Sequence, residues 1–162
     1  MKKNKKIYFS VTESQYNSLV DIARKAYPNE SCALLFGVLE KKENSSGEQE
    51  YYYKIKEIRE MKSSEPSPVA FVLNDFELLA KIWLEQQDRG LRLLSIFHSH
   101  PNTAIPSGID ETYMRNMDMG GFSGIIWSIY GNISRDLNAF IYLNNRIHQV
   151  NVIIQKTKPA DS

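Results

Sequence analysis

Apolar positions along the chain fall into short runs with changing period, separated by polar or Gly/Pro-bearing breaks. Ile7 to Val11 predicts a short first strand. Thr12 or Glu13 then opens a helix to about Tyr27, with apolar spacing at Tyr16, Leu19, Val20 and Ala23. Pro28 ends it, because the residue before a proline is biased away from helix. Ser31 to Leu39 is a continuous apolar stretch that predicts a buried strand. The charged segment Lys41 to Glu50, with Ser45, Ser46 and Gly47, predicts a hairpin loop, and Tyr51 to Arg59 alternates as its return strand.

The second half continues the alternation. Ser63 to Pro68 is a polar, proline-bearing loop and Val69 to Leu73 a strand. Asn74 or Asp75 caps a helix to about Arg89, closed by Gly90. Leu91, Leu93, Leu94, Ile96 and Phe97 predict a strand, and a helix runs from Gly108 to about Met117. Gly124 to Tyr130 is an apolar strand, and Leu137 to Leu143 and Ile147 to Ile154 form a hairpin turned at Asn144-Asn145. Neither an internal repeat nor a linker is visible. The order predicts a single α/β domain over 6–154, a mixed sheet sandwiched by helices, with tails at 1–5 and 155–162.

Composition changes this picture mainly by exclusion. The hydrophobic fraction of 42% can supply one core, and the net charge of +1 gives no electrostatic case for a nucleic-acid or membrane partner. Lys2, Lys3, Lys5 and Lys6 read as a solvated tail. No apolar run approaches the ~20 residues of a membrane span, and no apolar region follows the lysines as in a signal peptide. The lone Cys32 excludes an internal disulfide and fits a reducing cytoplasm, the expected location. It is expected to be a small buried strand residue rather than a reactive thiol.

The chemistry concentrates in His98-Ser99-His100. The chain has three histidines, and two stand here, one residue apart at the end of a strand. Side chains at i and i+2 on a strand share a face. Asp110, shortly downstream, can complete a set of three ligands for Zn²⁺, with an open position for water as in catalytic zinc sites. Ser107-Gly108-Ile109-Asp110 also fits a helix-capping box, with Ser107 as N-cap and Asp110 three residues on. The two readings are compatible, since the cap would fix the turn that presents Asp110. His148 reads as an ordinary surface or core residue.

The run His98-Ser99-His100-Pro101, followed by Ser107 and Asp110, resembles the signature of the JAMM (MPN+) metalloproteases. That family also uses a glutamate at the start of a strand after the first helix, where this chain has Glu30 in Pro28-Asn29-Glu30-Ser31-Cys32. The resemblance covers about residues 6 to 154. It implies the MPN fold, which shares an architecture with cytidine deaminases. It implies one zinc held by His98, His100 and Asp110, Glu30 as general base, and Ser107 as hydrogen-bond donor to the oxyanion. Ser99 is expected to face away from the metal, and Pro101 to end the strand.

The resemblance further implies hydrolysis of isopeptide bonds that join ubiquitin or a ubiquitin-like modifier to lysine. The modifier tail would bind as an added strand, placed at Val69, Ala70, Phe71, Val72 and Leu73. Met117 to Gly124 is too short for the insertion of the linkage-specific eukaryotic enzymes, so the chain looks more like the compact archaeal and bacterial members. Two alternatives stand beside this reading: a peptidase that processes the C-terminus of a sulfur-carrier-type ubiquitin-like protein, and a non-catalytic MPN scaffold subunit. The presence of all the ligand residues argues against the scaffold.

Overall fold

The structure, a computed structural model, describes residues 6–63, 66–68 and 76–156. Its elements are β1 (Lys6–Thr12), α1 (Glu13–Ala26), β2 (Cys32–Glu43), β3 (Gln49–Met61), α2 (Phe76–Asp88), β4 (Arg92–His100), α3 (Gly108–Met119), β5 (Ile126–Gly131), β6 (Leu137–Leu143) and β7 (Arg146–Gln155).

The sheet is mixed, as the alternation of strands and helices predicts. β2 runs antiparallel to both β3 and β4. β4 is parallel to β5, and β5, β6 and β7 are joined antiparallel. β1 lies parallel to both β3 and β7 and closes the sheet into a barrel, in the order β1-β3-β2-β4-β5-β6-β7. Closure depends on pairing the first strand with the last, a contact that no local pattern encodes.

Alternation along the strands sorts the core into an inside and an outside. Phe9, Leu35, Phe97, Ile126 and Ile141 belong to one buried cluster to which all seven strands contribute, and Leu19, Ile22 and Ala23 of α1 pack into it. A cluster shared by every strand of a closed sheet is its interior. α1 starts on a full capping box: the Thr12 hydroxyl accepts from the Gln15 N–H at 3.1 Å, and the Thr12 N–H donates to the Gln15 side chain at 2.9 Å. On the outer face Ile82 of α2 packs with Leu34, Phe36 and Leu93, and Met114 of α3 packs with Trp127, Ile129 and Phe140.

Several boundaries differ from the sequence expectation. β2 and β3 extend through the expected hairpin loop, leaving only residues 44–48 between them. Cross-strand pairs stabilise this arm without burial: Lys41 lies opposite Tyr51 and Lys42 opposite Glu50, and the two ammonium groups lie 5.6 and 5.2 Å from the Tyr51 and Tyr52 ring centres. The last hairpin turns at Asn144 and Asn145 with φ of 52° and 62°, the left-handed pair that a two-residue turn demands. The strand expected at Val69–Leu73 and the cap expected at Asn74 or Asp75 lie outside the described residues.

Candidate metal centre

β4 is flanked by β2 and β5, and its C-terminal end carries the two histidines. Ile96, His98 and His100 face outward, where α3 begins; Ser95, Phe97 and Ser99 face inward. Ser99 is fully buried and ties β4 to the segment before β2. Its N–H donates to the Ser31 carbonyl at 3.1 Å, its Oγ accepts from the Ser31 N–H at 3.0 Å, and the two hydroxyls are 2.6 Å apart. This double link fixes Ser31 against β4 and so places Glu30 beside the histidines. The Glu30 N–H donates to the Ser67 carbonyl at 2.8 Å.

Pro101 follows the last residue of β4, and the chain then crosses to α3. The Ser107 hydroxyl accepts from the Asp110 N–H at 3.2 Å and the Asp110 carboxylate accepts from the Ser107 N–H at 2.8 Å, the capping box expected from the sequence. This winds the first turn so that Asp110 faces β4. Its Oδ1 lies 3.1 Å from His98 Nε2 and its Oδ2 lies 3.0 Å from His100 Nε2. The two Nε2 atoms are themselves 3.1 Å apart.

One ligand atom from each of Glu30, His98, His100 and Asp110 falls within a group spanning no more than 4.8 Å, and all four residues are buried. Two imidazole nitrogens and a carboxylate oxygen aimed at one point suit a borderline cation such as Zn²⁺. The tautomer of His100 agrees. Its Nδ1 lies 3.1 Å from the Thr103 carbonyl, which can only accept, so Nδ1 is the donor there and Nε2 is the nitrogen whose lone pair a metal at the shared point would take in place of the proton it shares with Asp110.

Sequence reasoning gave no part to Thr103, because its contribution is a backbone carbonyl. Its position depends on Gly131, where a Cβ would lie 2.8 Å from the Thr103 carbonyl carbon and 2.7 Å from the Ala104 nitrogen. Asn132 completes the brace: its side chain donates to the His100 carbonyl at 3.2 Å.

The electrostatics divide the acids into two kinds. Burial pushes the Glu30 carboxyl up to about 7; the nearby Asp110 charge adds to this and His100 opposes it. Burial acts on Asp110 too, but hydrogen bonds from His100 and His98 outweigh it and hold this carboxyl far below its ordinary value. His100 is burdened by burial, yet its bond to Asp110 leaves its pKa raised overall. Cys32 is buried opposite His98 on β2, and burial pushes its thiol up to about 12, which makes it a poor nucleophile near neutrality. His148 is exposed and lies 3.2 Å from the Leu143 carbonyl. The strand-addition segment Val69, Ala70, Phe71, Val72 and Leu73 lies outside the described residues.

Comparison with known proteins places the chain in a family. Residues 12–140 match the family described as prokaryotic homologs of the JAB domain. The match covers most of the sequence, and the chain belongs to this family, with a buried Glu-His-His-Asp group that can hold a metal ion. The solution structure of a protein from Desulfitobacterium hafniense shares the fold, with a TM-score of 0.66 and 21% identity, covering 93% of this chain and 94% of the other. No curated protein matches the chain. Among the described residues no helix is long and apolar enough to cross a membrane.

Proposed function

We propose that the protein is a zinc-dependent isopeptidase that releases ubiquitin or a ubiquitin-like modifier from lysine conjugates or fusions. The observation that carries this reading is the convergence of His98, His100 and Asp110 on one point, with the high-pKa carboxyl of Glu30 beside it. Zinc held there would supply Lewis acidity and a bound water that ionises near neutrality. Glu30 takes the proton from the attacking water and returns it to the leaving amine, a task that favours a carboxyl titrating near 7. The Ser107 hydroxyl accepts from the Asp110 N–H, which leaves its own proton free to donate to the oxygen of the scissile carbonyl. Ser107, Glu30 and His100 line one open cleft, so donor and base face the same space.

The modifier tail is proposed to bind extended, as an added strand at Val69 to Leu73, and the protein to act in the cytoplasm. The test is incubation of zinc-loaded protein with ubiquitin and ubiquitin-like fusions, with and without chelator, followed by mass measurement of the products. Cleavage after the modifier's terminal glycine that stops with chelator is expected. Intact fusions throughout would overturn the reading. Glu30→Gln should retain the zinc and abolish cleavage.

A further inference from the structure

The metal centre opens on two sides, and the sides differ in chemistry. Glu30 and Ile109 line both spaces. One space is the more polar of the two, bordered by His100, Asn102, Thr103, Ser107 and Thr112 as well as Pro68 and Pro101. The other is a cavity of about 550 Å³ between α2 and α3, over the outer face of β2, β4 and β5. Its polar end is Glu30, His98 and Asp110; the remainder, among the described residues, includes Leu34, Phe36, Trp83, Ile96, Phe122 and Trp127. The size lies within the range of sites for small ligands, roughly 300–1,000 Å³. Ile109, Tyr113 and Phe122 border it and are each about half exposed, so the apolar surface continues to the mouth.

A glycine-ended tail has no side chain to place in such a space. We infer that the substrate carries a bulky apolar group on the amine side of the scissile amide, seated in this cavity lined by Trp83 and Trp127. The inference rests on the proposed amide hydrolysis for its chemistry and adds the substrate class. The argument is continuity: the cavity begins at the atoms that would act on the amide, so a group filling it is covalently close to the bond. Apolar burial in a preformed space favours such a group by about three- to fourfold in affinity per methylene. The polar cleft opposite would take the peptide-like remainder of the substrate.

The protein carries its own reporter. It has two tryptophans, Trp83 and Trp127, and both line this cavity. Tryptophan emission therefore reads occupancy directly, independent of turnover. Two probe series isolate the two sides of the amide: N-acyl glycinamides from acetyl to decanoyl, and N-acetylglycine alkylamides from methyl to octyl. In the alkylamide series emission should shift with a Kd that falls about threefold or more per methylene until the space is full, and a fall confined to the acyl series would overturn the inference.

Ala80 of α2 is exposed and lines the cavity, so Ala80→Phe narrows the space without disturbing the core. It should keep its zinc and weaken the long members at least tenfold. Emission unmoved by the longest members of both series would overturn the inference, as would long members that bind Ala80→Phe as well as wild type. With zinc loaded, kcat/KM should rise with chain length in the series that binds; a flat kcat/KM would show that the cavity does not serve the reaction. Chain-length-dependent emission without hydrolysis of any amide or fusion would overturn the isopeptidase reading and leave the cavity's ligand class standing.

Discussion

Glu30, the proposed general base, shows what burying a single carboxyl does to the fold. Its carboxyl is pushed up to about 7 chiefly by burial. A carboxyl raised above its unfolded value contributes stability that is complete at low pH and is lost as pH rises towards 7. Above that pH the ionised, buried Glu30 destabilises the metal-free chain. Metal-free Glu30→Gln should therefore match wild type near pH 4 and exceed it at pH 8 by on the order of 2 kcal/mol in denaturant melts. Equal stability at both pH values would show that Glu30 ionises without cost. The proposed ligands should behave differently. His98→Ala and Asp110→Ala each remove a donor from a set of three, and both should lose most of the metal in atomic emission measurements. Stoichiometric zinc in both variants would refute the ligand set. The histidines and Asp110 were legible as a group because strand geometry and capping rules act over a few positions, whereas Glu30, remote in sequence, was legible only through the family resemblance. Thr103 was not, because a carbonyl leaves no mark in side-chain sequence.

At the scale of elements, two junctions hold the site in shape. Ser107 and Asp110 wind the start of α3, so Ser107→Ala should cost about 1 kcal/mol of stability from the lost cap. It should also slow turnover by ~10²-fold or more if the hydroxyl donates to the reacting oxygen. A rate loss no larger than the cap defect explains would confine Ser107 to the cap. The other junction is the β2–β3 ladder, where the register shifts at Phe36/Gly37. A Cβ on Gly37 would run into the Lys54 carbonyl of β3. Gly37→Ala must separate the strands, and thermal melts should show a loss of about 2 kcal/mol or more. An unchanged melt would show that the ladder yields freely there. Gly37 falls inside the predicted strand Ser31 to Leu39, and the sequence hid its role, since close approach of a second strand is a long-range fact. The same limit shortened the predicted hairpin: charge at Lys41 to Glu43 suggests a loop until the facing tyrosines are known. The β6–β7 turn was readable because Asn-Asn states its own backbone conformation.

At the scale of the molecule, most strands and all three helices among the described residues follow from local pattern, while closure of the sheet does not. β1 joins β3 to β7 through pairings distant in sequence, so the alternation of elements predicts a mixed sheet without saying whether it closes. Closure bears on when each part of the metal centre comes apart. The histidines sit on β4, hydrogen-bonded on both sides and backed by the barrel interior, so their amides should exchange with solvent only when the molecule unfolds globally. Asp110 sits in the first turn of a helix, the kind of position that opens locally. A cation gripped by both would make that turn share the fate of the barrel. Hydrogen exchange at the Asp110 and Glu111 amides should slow sharply on zinc addition, while the already protected β4 amides gain only what global stability gains. A bound ion would thereby make the start of α3 part of the slowest-opening unit of the protein, and its removal would be felt first as breathing in that turn.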